Sequence, residues 1–239
     1  TIAARQEIRD AAMEKWKEAV KEGDTEAIRR YSQQASRLTE DMIEDSKRLL
    51  SLMGVSWVQA PSEGEAQATY LLKQGRVWAV GSQDWDSLLF GTPTMVKNLA
   101  ITGKRKLPRK NVYVEVHPEI VELERTLKEL GITYEQLIDI GILVGTDFNP
   151  EGVKGIGPKS ALKLVKKYGS IEKILPTLKE AEFPVDPREI REIFLHPKVR
   201  DDYEIRWENP DVEGVVGFLC GERDFSESRV KKALKEKQL

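Results

Sequence analysis

The chain has 239 residues, 33% of them charged and 40% hydrophobic, with 38 Lys and Arg against 40 Asp and Glu for a net charge of −2. That length supports one large core or two smaller ones without staples, and a lone cysteine, Cys220, excludes an intramolecular disulfide, as expected of a reducing compartment, cytosolic or nuclear. No run approaches the roughly 18 apolar residues of a membrane span, and "TIAARQEIRDAAMEKW" reads as a charged helix, not a secretory leader, in a chain whose near-neutral total can conceal separated patches of both signs.

In chain order, Thr1 to about Glu22 has helix-forming composition with a sparse apolar stripe; "EGD" breaks it, and a second helix is predicted from about Thr25 towards Leu52. After Gly54, "VSWVQA" reads as a short strand, "PSEGEAQATYLLKQG" as a helix closed by Gly75, and "RVWAVGS" as another strand. A strand, helix, strand alternation predicts a parallel unit of an α/β sheet, whose functional residues gather at the carboxyl edge. "DSLLF" and "TMVKNLA" are expected to continue the sheet, "ITGKRKLPRKNVYVEV" to form a basic hairpin or loop, and the pattern from Pro118 onward to be mostly helical.

Three acidic elements follow apolar segments. Ser62 and Glu65 match a capping box with Glu63 in the first turn of a helix, yet a capping glutamate leaves its neighbour two positions away unexplained. Asp84 and Asp86 sit two apart after a strand, and Asp147 follows an apolar run into a loop closed by Asn149 and Pro150. Each alone reads as well as a turn or cap residue. Together, at one sheet edge, five carboxylates would repel unless a cation neutralised them, and all-oxygen donors suit Mg²⁺ or Mn²⁺. Zinc is not expected, since His117 and His196 each precede a proline and have no partner at ligand spacing. Metal-activated water is then the expected chemistry, with two ions the usual arrangement for phosphodiester cleavage.

From Gly152 to Ser170, "GVKGIGPKSALKLVKKYGS" carries five lysines and no acid. Its glycine turn feeds a helix opening at Pro158, a geometry suited to phosphate oxygens. The glycine spacing does not match a dinucleotide fingerprint. A second island, "GKRKLPRK", fits either a nucleic-acid contact or an exposed hairpin tip.

"QAPSEGEAQA", "SQDWDSLLFG", "ILVGTDFNPEGVKGIGPKSAL" and "FLCGERDFSESRV" together closely resemble flap endonucleases, the structure-specific 5′ nucleases of DNA replication and repair, in their archaeal branch. The resemblance covers nearly the whole chain. It implies a PIN-like α/β core, a central sheet flanked by helices, with a helical arch (1–32), a helix-three-turn-helix at about 137–175 within a core spanning 33–195, and a mostly helical carboxy-terminal extension (196–239). It implies that Glu63, Glu65, Asp84, Asp86 and Asp147 are ligands of two Mg²⁺ ions, with Mn²⁺ a possible substitute, and that Gly155, Gly157, Lys159, Ser160 and Lys163 grip duplex DNA, with K⁺ at the turn. Arg5 resembles an arch arginine that reaches the scissile phosphate. The expected substrate is DNA with a 5′ flap or junction, cut endonucleolytically and from 5′ to 3′ exonucleolytically. The family's amino-terminal segment, with two further metal-site aspartates, and its tail for the sliding clamp have no counterpart here. The chain is therefore expected to be a fragment or one piece of a split protein, inactive alone, in a prokaryotic cytoplasm beside the nucleoid. The alternatives are a non-catalytic junction-binding module and a Mg²⁺-dependent phosphatase, the latter disfavoured by the lysine island.

Overall fold

The computed structural model describes residues 2–35, 38–100, 103–106, 112–178 and 183–236. The chain divides into two compact units, Gln59–Asp201 and Ile2–Val58 with Asp202–Leu239.

In the second of these, α1 (Ile2–Glu22) and α2 (Thr25–Ala35) pack on one another. Gly23 turns the chain with a left-handed φ of +72°, and Asp24 caps α2 by accepting from the backbone N–H groups of Glu26 and Ala27, both at 3.0 Å. Ala12 and Ala19, two turns apart, supply the small buried seam that lets the helices approach. The single helix predicted from Thr25 towards Leu52 is instead two, because Thr39 starts α3 (Glu40–Leu52) afresh by accepting from Met42 N–H. Against α3 lie α11 (Val212–Val216) and the π-helical turn Gly217–Glu222, followed by α12 (Glu227–Glu236). Arg48 pairs bidentately with Glu222 and Arg223 with Asp45, all at 2.7 Å, and both guanidiniums lie over the Phe218 ring, at 4.4 and 5.2 Å. That arrangement explains the motif "FLCGERDF": its aromatic and its charges fasten α3. The strand expected at "VSWVQA" does not form. Its start is held by single bonds to an irregular segment, Glu208 N–H to Gly54 O and Ser56 Oγ to Arg206, so no ladder develops.

The unit Gln59–Asp201 begins with α4 (Gly64–Lys73) and a three-stranded sheet of order β1, β2, β5, from β1 (Val80–Gly81), β2 (Thr94–Lys97) and β5 (Glu119–Glu122). β1 runs parallel to β2, pairing Val80 with Met95, while β5 is antiparallel to β2, pairing Thr94 with Glu122. The parallel unit is thus real but displaced: its crossover contains α5 (Asp86–Leu89), the "DSLLF" stretch expected to be strand. A short apolar run fits either conformation by pattern alone, and here Leu88 and Leu89 bury as one helical turn. β3 (Gly103–Lys106) and β4 (Tyr113–Val116) form the expected hairpin, whose tip lies outside the described residues.

After α6 (Leu123–Leu130), which buries no residue, the remaining helices build the core: α7 (Tyr134–Val144), α8 (Pro158–Tyr168), α9 (Ile171–Ile174) with a 3₁₀ turn at Leu175–Thr177, and α10 (Pro187–Leu195). Thr133 and Gln136 form a capping box at α7, and Ile138, Ile142 and Leu143 are fully buried one turn apart. Ala161 and Val165 of α8, Ile171 and Ile174 of α9, and Ile190 and Phe194 of α10 close around them. Phe194 packs edge-on to Phe148 and tilted against Phe90, at 5.6 and 4.8 Å between ring centres. Gly141 lets α5 settle on α7, since a Cβ there would stand 2.7 Å from Leu89. This tight contact sets the height of the aspartate pair above α7.

Candidate metal centre and nucleic-acid interface

The turn after β1 is shaped by its own side chains. Ser82 Oγ accepts from Asp84 N–H and Asp84 Oδ1 accepts from Asp86 N–H, each at 3.0 Å, so the two aspartates are fixed relative to each other before any ligand arrives. Behind them Thr92 Oγ1 donates to Ser87 O at 2.6 Å and Tyr134 OH to Leu89 O at 2.6 Å, anchoring α5 at both ends. Trp85, between the aspartates, stays exposed, with the Lys97 ammonium 3.6 Å from its ring centre.

Asp147 arrives from the far side, at the tip of the loop after α7. Asn149 Nδ2 donates to Ile142 O, Thr146 Oγ1 donates to Asn149 Oδ1, both at 2.7 Å, and Val153 N–H returns to Leu143 O at 2.8 Å. Two glycines permit the closure. Gly145 has φ +119° and a Cβ there would lie 2.8 Å from Pro150 O, while Gly152 has φ +54° and its Cβ would overlap Val144 O. The loop is therefore a closed knot whose buried Asn149 and Thr146 hold the exposed Asp147 outward.

The two elements meet. The Asp86 carboxyl is pushed up to about 6, chiefly by burial, then by the charges of Asp84 and Asp147; the nearby Asp147 backbone N–H opposes the rise and the Glu65 charge adds to it. Glu65 stands in the first turn of α4, half-buried. Glu63 is the residue before the helix, in extended conformation without a side-chain cap bond, so the capping box expected of Ser62 and Glu65 does not form. Helical backbone begins only at Gly64, which moves Ser62 outside capping reach. Ser62 and Glu63 instead face a cavity of about 360 Å³ shared with Phe90, Phe148, Glu192 and His196.

Asp84, Asp147 and Glu65 thus each act electrostatically on Asp86, and Glu63 is two residues from Glu65. Among the described residues no three His, Cys, Asp or Glu side chains are already gathered as a clasp for an ion. In chemistry and charge the set fits a hard divalent cation: all donors are carboxylate oxygens, and their mutual repulsion is what such a cation relieves.

The glycine–lysine segment lies beyond this knot. Gly155 has φ +82°, and neither it nor Gly157 has any chain atom within 4 Å of where a Cβ would stand, leaving the backbone open to a large ligand. Gly157 precedes α8, Pro158 occupies its first turn, and Lys154, Lys159, Ser160, Lys163, Lys166 and Lys167 are exposed while Ala161 and Val165 face the core. A basic outer face and an apolar inner one is the pattern of a helix that grips phosphates.

Arg5 falls within α1, but its side chain lies outside the described residues, as do those of residues 104–111 in the second basic island. Two features escape a reading of the sequence alone. One is the Trp85–Lys97 stack, which joins a turn to a strand residue twelve positions later. The other is Asp139, wholly buried in α7, whose Oδ2 accepts from Ile171 N–H at 3.1 Å and Arg191 Nη2 at 3.4 Å, with Arg191 also holding Glu172 at 2.8 Å. Its signal was a single charge inside the apolar run "LIDIGILV".

A family model described as the XPG I-region matches residues 54–147, a span that closes on Asp147 and contains all five carboxylates. Flap endonuclease 1 of Hyperthermus butylicus is 57% identical over 98% of this chain and 67% of the relative. The structure of flap endonuclease-1 from Methanococcus jannaschii matches with a TM-score of 0.71 and 44% identity over 91% of this chain and 64% of its own. The catalytic core of Rad2 in complex with DNA substrate shares the fold, with a TM-score of 0.67 at 24% identity over 86% of this chain and 72% of its own. The chain spans about two thirds of the length of the two flap endonucleases. Identity at this level, along nearly the whole of the present chain, shows that the chain belongs to the archaeal branch of the flap endonuclease family.

Proposed function

We propose that the chain carries the metal-binding edge and duplex-gripping helix of a structure-specific 5′ flap endonuclease, with 5′ to 3′ exonuclease activity, that hydrolyses DNA phosphodiesters in replication and repair. The observation that carries this reading is that Asp86 is influenced both by Asp84 of its own turn and by Asp147 of the loop after α7, which brings two separate acidic motifs to one edge. Glu63, Glu65, Asp84, Asp86 and Asp147 would hold two Mg²⁺ ions, or Mn²⁺ in their place, which when bound supply an activated water and stabilise the leaving oxygen. The chain's own contribution is placement: the Ser82–Asp84–Asp86 turn fixes two aspartates relative to each other and the Asn149 knot fixes the loop that carries Asp147, and the side chains would close on the ions as these bind.

Gly155, Gly157, Lys159, Ser160 and Lys163 would take the duplex backbone, with K⁺ at the turn, and Arg5 on the α1 arch would reach towards the cut phosphate. In the full-length protein a sliding clamp is the expected partner and the nucleoid the expected location; no helix among the described residues is long and apolar enough to cross a membrane. The alternative of a junction-binding module without catalysis draws on the lack of a ready clasp among the described residues, but an acidic edge beside a phosphate path repels DNA unless cations intervene.

The test is cleavage by the full-length protein of a labelled 5′-flap substrate beside a blunt duplex of the same sequence. Cutting near the junction in Mg²⁺, abolished by EDTA and far slower on the duplex, is the expected result. Binding without cutting in Mg²⁺ and Mn²⁺ would favour the module.

A further inference from the structure

Trp85 is the least economical residue of the acidic edge. Its successors Ser87, Leu88 and Leu89 are buried, yet this large indole, one position from both Asp84 and Asp86, remains 55% exposed. A Trp serving the core would have been drawn in with them. Nor is it loose: the Lys97 ammonium, carried at the end of β2, stands 3.6 Å from the ring centre, a cation–π contact that holds the indole from one side and spends the lysine's charge on the ring.

The electrostatics of the edge narrow what such a ring can contact. Phosphates would sit with the cations that the surrounding carboxylates hold, whereas a nucleobase is uncharged and presents a π face to the indole. Stacking on a protein ring requires that the base leave its own helical stack, which is easy for an unpaired nucleotide and costly within a duplex. The geometry points to Trp85 as a stacking platform for the nucleobase beside the phosphate that is cut, with Lys97 holding the ring from behind. This inference rests on the nuclease reading above and adds to it a positioning residue that favours unpaired nucleotides at the cut.

The experiment uses the full-length protein in single-turnover cleavage of 5′-flap substrates, intact or carrying an abasic site on either side of the cut phosphate. The parent should lose about 5- to 150-fold with an abasic site at one of the two positions, the range that base–aromatic stacking supplies. Trp85→Leu should lose a comparable factor on the intact flap and nothing further on the abasic one, while Trp85→Phe, which keeps a ring, stays within about threefold of the parent. A parent indifferent to both abasic sites overturns the inference, whatever Trp85→Leu does to folding. So do losses from Trp85→Leu and the abasic site that multiply in full, which would make the indole a brace for the turn and nothing more. A parent that cuts no flap at all overturns the nuclease reading and this inference with it, a result distinguishable from the others by its control lane.

Discussion

Burial pushes the Asp139 carboxyl up to about 6 from an ordinary value of 3.8, against the opposing pull of Arg191 and of Ile171 N–H. The folded state therefore holds this proton more tightly than the unfolded chain. Its contribution is fully present below about 4 and is lost as pH rises through about 6. Asp86 is displaced in the same direction, for burial and like-charge reasons, so the whole protein without divalent cations should lose stability across that window. Replacing Asp139 by Asn keeps an acceptor for Ile171 N–H and removes the titration. Melting midpoints measured from pH 4.5 to 7.5 in EDTA should then fall less steeply than the parent's; a parallel slope would show that Asp139 titrates alike in both states. Added Mg²⁺ should raise the parent's midpoint at pH 7.5 by relieving the repulsion at the acidic edge, and should do much less for Asp84→Asn with Asp86→Asn.

At the scale of elements, the loop between α7 and α8 is the part whose geometry admits least substitution. Gly152→Ala places a Cβ onto Val144 O at a left-handed φ, which costs roughly 1–2 kcal/mol for the backbone alone and more for the overlap. Because the displaced tip carries Asp147, single-turnover cleavage should fall by more than flap affinity does, and equal losses in both would place Asp147 outside the reacting site. The α8 lysines answer to a different measurement. Lys159→Ala with Lys163→Ala should flatten the slope of log affinity against log salt by about one to two units while leaving the preference for flaps intact. An unchanged slope would move the DNA path away from this helix. What the sequence made legible at this scale, and what it did not, follows from how each element is stabilised. The hairpin of β3 and β4 and the amphipathic α8 rest on local pattern, and both were expected. "VSWVQA" alternates like a strand but lies beside an irregular segment without a ladder, and "DSLLF" becomes a helical turn because Gly141 of α7, more than fifty positions away, leaves room for Leu89. Ser62 lost its cap because the helix starts one residue after Glu63, a shift that no spacing rule distinguishes.

For the whole molecule, the carboxylate motifs were readable because each sits after an apolar segment in a fixed order, so that a family match and a charge pattern agreed. A shared edge was expected, but how the aspartate turn is carried there was not legible, because it depends on α5 resting on Gly141 of α7, more than fifty positions away. The central claim is that this assembled acidic edge performs metal-dependent cutting while a separate basic face holds the duplex. Asp84→Asn with Asp86→Asn in the full-length protein tests it most directly, because amides occupy the same space, bind divalent ions poorly and no longer repel phosphates. Flap affinity and single-turnover cleavage in Mg²⁺ would be measured on the same preparation. Affinity equal to or tighter than the parent's, with cleavage slowed at least 1,000-fold on the order expected for lost metal assistance, is the predicted result. Cleavage within about tenfold of the parent would contradict the account, since the two aspartates would then be dispensable to the chemistry assigned to them.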